Sequence, residues 1–260
     1  MGTREFFDIK ATDGSWRSLY DNDGGKTDPD KYNFVTRRAE VVRLAKPARK
    51  VQRVLDVGCG TGDYAGCLAA EVSAYHGVDF SVEMIRRARK GVEMLSARNT
   101  FVVASGDRIP YCDNSFDMVL AVGYIEYFDD PSNAIEEIRR VLKPQAVLIM
   151  QSYKRDLFWR VSGLLTDPAR RLYRRFFKAN ACRLQVDRPY SRDQLDALLG
   201  RFDFERVDYA YNNFRVFPWC LRRWFPNAYI TISDAITRSA PQSWGVFAVN
   251  YIGKYVLSGK

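Results

Sequence analysis

Nine residues, Val54-Leu55-Asp56-Val57-Gly58-Cys59-Gly60-Thr61-Gly62, constrain the fold more than any other stretch of this chain. A β-branched run, Val51 to Val57, passes through three glycines in five residues into a helical pattern that reaches about Glu71. Glycine tolerates positive φ and lets a ligand approach the main chain. The first N–H groups of a helix have no partner within it and can hold a polar group. The spacing is G-x-G-x-G, unlike the G-x-G-x-x-G of dinucleotide folds, and no Gly-Lys-Ser/Thr follows as a Walker loop would require. Strand, glycine turn and helix in this order predict the opening of a parallel sheet with a ligand at its carboxyl edge.

The rest of the first 153 residues keeps that rhythm. Tyr32 to Ala48 is an amphipathic helix carrying Phe34, Val35, Val41, Val42 and Leu44. Ala74 to Asp79 is a second strand, and Ser81 is the N-cap of a helix through Lys90. Phe101 to Ala104 is a third strand. Phe116 to Val122 is a fourth, apolar enough to be buried on both faces. Pro131 to Leu142 is a helix with proline in its first turn, and Ala146 to Ser152 a fifth strand. After Ser152 the pattern breaks into two basic amphipathic helices over residues 154–180, divided at Thr166-Asp167-Pro168. A helix from Ser191 to about Phe202 and a strand from Phe204 to Tyr211 follow. Residues 212–243 read as aromatic and irregular, and Trp244 to Leu257 as the last strand. Alternation of this kind predicts an α/β, doubly wound, mostly parallel sheet of seven strands, with helical lid insertions after strands 5 and 6.

Asp79 stands at the end of the second strand, 17 residues past Gly62. A carboxylate there can accept both hydroxyls of a ribose. Five segments now occur in order: Val54–Ala65; Gly77-Val78-Asp79-Phe80-Ser81; Gly106-Asp107 with Ile109-Pro110; Asn114-Ser115-Phe116-Asp117; and Arg140-Val141-Leu142-Lys143-Pro144. Together they resemble the successive motifs of class I S-adenosylmethionine-dependent methyltransferases, in the type 11, ubiquinone-biosynthesis-like branch. That family has a Rossmann-like sheet, and the resemblance covers roughly residues 50–153. It implies a single domain over 1–260. Residues 1–50 would be an N-terminal cover and 51–153 the cofactor-binding core. Residues 154–189 and 212–243 would be acceptor-side insertions, with 190–211 and 244–260 completing the sheet. It also implies S-adenosylmethionine as cofactor. Gly58, Gly60 and Gly62 would face its methionine portion, and Asp56 would organise the loop and the amino group. Asp79, with Phe80 beside it, would bind the ribose. Asp107 would accept from the adenine amino group next to Arg108, and Gly123 and Tyr124 would border the sulfonium. One departure from the family is Lys143-Pro144-Gln145-Ala146, where Lys-Pro-Gly-Gly is usual.

Methyl transfer is an in-line displacement in which the protein mainly positions and desolvates. His76, the only histidine, is not expected to act as base. It lies three residues before Asp79 and points to the opposite face of its strand. Glu126 and Tyr127, just after the fourth strand, are the candidates for orienting the acceptor. Phe6, Phe7, Trp16, Tyr20 and Tyr32 form an aromatic N-terminal segment, in which Tyr20 and Tyr32 are either lid residues or ordinary packing.

Charge adds a hint about the acceptor. Residues 1–150 hold 21 basic and 22 acidic side chains, whereas residues 151–260 hold 19 and 9. The surplus clusters with aromatics at Asp167–Lys178 and Trp219–Phe225. It fits a solvated lid, an anionic membrane surface or a nucleic acid. Nucleic acid is disfavoured, because no Asn/Asp-Pro-Pro-Tyr follows the fourth strand. Five scattered cysteines and one histidine argue against disulfides and a metal site. No signal peptide and no apolar run of spanning length is present. The expectation is a cytoplasmic enzyme, with optional peripheral membrane contact. It would methylate a small or lipid-like, bulky hydrophobic acceptor, with oxygen favoured over nitrogen or carbon. Arg155, Arg160 and Arg215 are candidate acceptor contacts. The alternatives are an RNA methyltransferase and a non-catalytic partner protein that binds the cofactor.

Overall fold

The computed structural model describes residues 3–12, 28–46, 51–92, 98–153, 189–214, 224–239 and 242–259. Two helices, α1 (Thr3–Thr12) and α2 (Pro29–Ala45), precede the sheet. Then come β1 (Val51–Val57), α3 (Asp63–Leu68), β2 (Val72–Asp79), α4 (Val82–Gly91), β3 (Arg98–Val103) and β4 (Phe116–Val122). A 3-10 turn, Ile125–Tyr127, leads to α5 (Ser132–Val141) and β5 (Leu142–Tyr153). The chain continues with α6 (Arg192–Gly200), β6 (Phe204–Phe214), α7 (Pro226–Ser239), a second 3-10 turn (Gln242–Phe247) and β7 (Ala248–Leu257).

The strands form one sheet in the order β3-β2-β1-β4-β5-β7-β6. β7 runs antiparallel to both its neighbours, and the other pairings are parallel. The order steps outward from β1 in one direction and then from β4 in the other. The crevice therefore opens at the carboxyl ends of β1 and β4, where ligands of such sheets collect. Alternate residues of the central strands face opposite sides. Leu55, Val57, Val119 and Ala121 pack with Ile135 and Ile138 of α5 and Leu195 and Leu199 of α6. Val54, Met118 and Leu120 pack with Val41 and Leu44 of α2, Leu68 of α3 and Ile85 of α4.

Local signals read from the sequence hold at several ends. Ser81 Oγ accepts the Met84 N–H at 3.1 Å, and Ser191 closes a capping box with Gln194. The segments 105–113 and 137–143 belong together because Arg140 latches them. It donates to the carbonyls of Ile109 and Tyr111 at 3.0 and 2.8 Å and to Asp113 at 2.8 Å. Glu137 returns the contact by accepting the Ile109 N–H at 2.8 Å.

Other boundaries differ from the pattern. The helix after the glycine turn stops at Leu68, short of Glu71. β3 begins at Arg98, and β5 at Leu142 rather than Ala146. The last strand starts at Ala248, because Gln242–Phe247 coils into a 3-10 turn. Residues 226–239, read as irregular, form α7, with Pro226 at its first position and Tyr229 and Ser233 inward. The two helices expected over 154–180 lie outside the described residues.

Gln145 takes φ 65° at the position where a glycine is usual. A side chain in that region costs about 1 kcal/mol. Gln145→Gly is expected to raise unfolding stability by up to about 1 kcal/mol, partly offset by the entropy glycine adds to the unfolded chain. Urea denaturation of the two proteins reads this directly, and a destabilised variant would contradict it.

Candidate active site

A cavity of about 440 Å³ opens at the carboxyl ends of β1, β2 and β4 and is bounded by α1 and α2. One wall is the glycine turn. Gly58, Gly60 and Gly62 all have positive φ (73°, 52° and 76°), so this path of the chain requires residues without Cβ. Asp79 faces the same wall, 7% exposed. One of its oxygens accepts the Gly60 N–H and the other the Ser81 N–H, both at 2.9 Å. Desolvation by burial pushes its carboxyl upward, and the two backbone N–H groups pull against it. Phe80, Gly123 and Tyr124 line the cavity with it. At Gly106 an added Cβ would overlap the Tyr124 hydroxyl, so glycine lets the ring lie against the chain there. That hydroxyl is buried without a hydrogen-bond partner among the described residues.

The cavity is also lined by Phe34, Arg37, Glu126 and Tyr153, by Phe128, whose ring lies 4.9 Å from that of Tyr124, and by Phe6, Phe7 and Tyr127. Phe7 stands edge-on to Phe80 and Tyr127, with ring centres 5.9 and 5.6 Å apart. A bond from Ser81 Oγ to Asp8 ties α1 down in this position. The aromatic N-terminal segment thus reaches the cavity through Phe6 and Phe7. Tyr32 instead packs edge-on to Tyr229 of α7, as ordinary packing would have it. Tyr20, and the arginines Arg155, Arg160 and Arg215, lie outside the described residues. Glu126 is 1% exposed. Its Oε1 accepts the Tyr153 N–H at 2.8 Å, and burial raises its carboxyl while backbone N–H groups and, after them, the Arg37 charge lower it.

Four expected site residues do not line the cavity. Gly62 caps α3, its missing side chain making room for Phe101 and Ala88. Asp107 is exposed and accepts from Ser105 Oγ, and Arg108 is exposed beside it. Asp56 lies buried beneath the glycine turn, where it accepts the Tyr75 hydroxyl. His76 is also away from the cavity, with Nδ1 3.2 Å from the Tyr111 hydroxyl. The contributor that pattern reading missed is Arg37. It is 4% exposed, with Nη1 3.5 Å from Gln151 Oε1 and its guanidinium 4.6 Å from the centre of the Phe34 ring. Its signal was spacing: Phe34, Arg37, Val41 and Leu44 share one helical stripe, so a charge sits on the buried face.

Burial pushes the Asp56 carboxyl up to about 7, against the pull of the Tyr75 hydrogen bond. A carboxyl raised on folding binds more protons in the native state between its unfolded and native values. Stability therefore falls as pH rises from about 4 to 7, by about 1.4 kcal/mol per pH step of one, and is level above that. Asp56→Asn is expected to gain on the parent by a few kcal/mol between pH 5 and 7.5, measured by urea denaturation at both pH values. An unchanged difference at the two would contradict the assignment.

A parallel sheet with a switch point, a glycine turn and an acidic residue at the end of β2 defines a nucleotide-type cofactor fold. Residues 55–150 match the methyltransferase-domain family. That stretch carries the segments that resemble the class I, type 11 branch, whose cofactor is S-adenosylmethionine. The malonyl-[acyl-carrier protein] O-methyltransferase of Enterobacter lignolyticus is 32% identical over 133 residues, covering 48% of this chain and 49% of the relative. A ubiquinone/menaquinone biosynthesis C-methyltransferase of Geotalea uraniireducens is 38% identical over 96 residues, covering 35% and 41%. The match spans about half the length of such curated relatives or less. Among solved structures, the methyltransferase-fold chain in complex with the Trm112 activator of Haloferax volcanii superposes with a TM-score of 0.65 at 18% identity. It covers 97% of this chain and 98% of that one, a likeness of fold. No helix of the described residues is long and apolar enough to cross a membrane.

Proposed function

We propose that this chain transfers a methyl group from S-adenosylmethionine to a small or lipid-like hydrophobic acceptor, with oxygen as the favoured atom. The observation that carries the reading is Asp79, a buried carboxylate that fastens Gly60 and faces the cavity beside the glycine turn. The donor set fits the cofactor. Asp79 would accept from the ribose hydroxyls, with Phe80 against the sugar. The turn at Gly58 and Gly60 would admit the methionine portion, with Gly62 setting its shape and Asp56 holding it from beneath. Gly123 and Tyr124 would border the sulfonium. Asp107 would reach the adenine amino group, with Arg108 beside it; both stand on the segment that Arg140 latches. Arg37, against Gly123, would pair with the amino-acid carboxylate, a role for which a buried guanidinium is suited. Glu126 and Tyr127 would meet the acceptor. When bound, the cofactor supplies the activated methyl group; the protein aligns it and excludes water. Aromatic residues around the cavity support a hydrophobic acceptor. Calorimetric titration of the purified chain with S-adenosylmethionine and S-adenosylhomocysteine tests the cofactor part. One-to-one binding is expected, and no binding of either would overturn it.

A further inference from the structure

One oxygen of the Glu126 carboxylate has a hydrogen-bond partner among the described residues, and the nearby backbone of Tyr124 and Glu126 adds further attraction. Glu126 Oε1 accepts the Tyr153 N–H, but Oε2 is buried with no hydrogen-bond partner among the described residues. An unsatisfied buried acceptor costs about 1–3 kcal/mol, and more when charged. Native structures keep such groups where a ligand, ion or water completes them. Glu126 lines the cavity, so a ligand donor can reach this carboxylate.

Two ligands could bring the donor, the cofactor through its ammonium or the acceptor. The lining favours the acceptor. The glycine turn and Asp79 end β1 and β2, whereas Glu126 is tethered to Tyr153 of β5. Arg37, bonded to Gln151 of β5, stands on the Glu126 side too, so the cofactor's carboxylate would end there with its ammonium turned back toward the glycine turn. The glycine-turn side has its own cavity-lining carboxylate, Asp63, one residue past Gly62. Beside Glu126 the cavity is lined by Tyr153, whose N–H it accepts, and by Phe34, whose ring lies against the Arg37 guanidinium; these suit a flat apolar body.

We propose that Glu126 Oε2 is the hydrogen-bond and proton acceptor for the methyl acceptor, which is an apolar molecule presenting a hydroxyl or an amine N–H at that atom. This rests on the methyltransferase reading above. In the step, the lone pair of the acceptor oxygen or nitrogen forms the bond to the methyl carbon, while the carbon–sulfur bond breaks with its pair going to sulfur. The acceptor proton passes to Oε2, leaves Glu126 neutral, and returns to water after product departs. Burial raises this carboxyl, which makes it a better proton acceptor than an exposed one, and backbone N–H groups together with Arg37 keep the rise in check.

The test uses the full chain loaded with S-adenosylhomocysteine and two probes that differ in one donor, 2-naphthol and 2-methoxynaphthalene. Calorimetry of the parent is expected to favour 2-naphthol by at least about tenfold, as a site with an unpaired polar group should. Glu126→Gln keeps an acceptor for the Tyr153 N–H but can place an NH₂ where Oε2 stood. It is expected to erase the preference, while affinity for S-adenosylhomocysteine stays within about threefold and the melting temperature confirms folding. A parent that binds neither probe, or both equally, overturns the inference. So does a variant that loses S-adenosylhomocysteine affinity instead, since the donor would then be the cofactor ammonium. If the parent fails to bind S-adenosylhomocysteine at all, the cofactor reading itself fails, and the two failures are told apart.

Discussion

Replacing Asp79 by alanine is expected to lower the affinity for S-adenosylhomocysteine by about 100-fold or more. Two hydrogen bonds from ribose hydroxyls to a carboxylate contribute about 1.5–3 kcal/mol each, and every 1.4 kcal/mol is a factor of ten. The carboxylate also holds the Gly60 N–H, so its removal loosens the turn that the rest of the ligand follows. Both effects act on the nucleoside half. Affinity for 5′-methylthioadenosine, which keeps the ribose and lacks the amino acid, should therefore fall by a similar factor. Asp79→Asn keeps one acceptor oxygen and should fall between. Unchanged binding of both ligands by the alanine variant would remove Asp79 from the site.

Arg37→Met should show the complementary pattern. Methionine has similar length and no charge, so the variant removes the guanidinium with little change of volume. A buried ion pair to a ligand carboxylate is costly to break from one side, about 3–5 kcal/mol, so affinity for S-adenosylhomocysteine should drop by at least about 100-fold. Methylthioadenosine carries no carboxylate, and its affinity should stay within about threefold. The two variants thus separate the halves of the cofactor. If Arg37→Met weakens both ligands alike, the guanidinium acts through the shape of the site. If it weakens neither, Arg37 belongs to the acceptor side.

The glycine-turn wall was legible in the sequence because its signals are local. A glycine at positive φ, a serine cap and a carboxylate at a strand end are set by their immediate neighbours, and Gly58, Ser81 and Asp79 stand where pattern placed them. The other wall is assembled from α2, the turn after β4, and the end of β5. No single window contains Arg37, Glu126 and Tyr153 together. Arg37 was hidden because a charge within the apolar stripe of its helix looks like part of the polar face. α7 was hidden for a different reason. Its inward residues include Tyr229 and Ser233, and Tyr229 donates to Asn213 at 2.6 Å, so the buried face is partly polar and shows no clean apolar period. The start of β7 was misplaced because Trp244 and Phe247 look like strand residues, while Gly245 leaves room for the Tyr211 ring and the chain coils there.

The positive charge of the second part of the chain also takes a narrower meaning. Among the described residues that line the cavity, the buried cation is Arg37 of α2, in the part of the chain whose charge nearly cancels.

In a crystal structure of the chain with S-adenosylhomocysteine, the ribose hydroxyls are expected within hydrogen-bond distance of Asp79, the amino-acid carboxylate against Arg37, and the thioether sulfur beside Gly123. Ligand density elsewhere, or a ribose that does not meet Asp79, would contradict this placement.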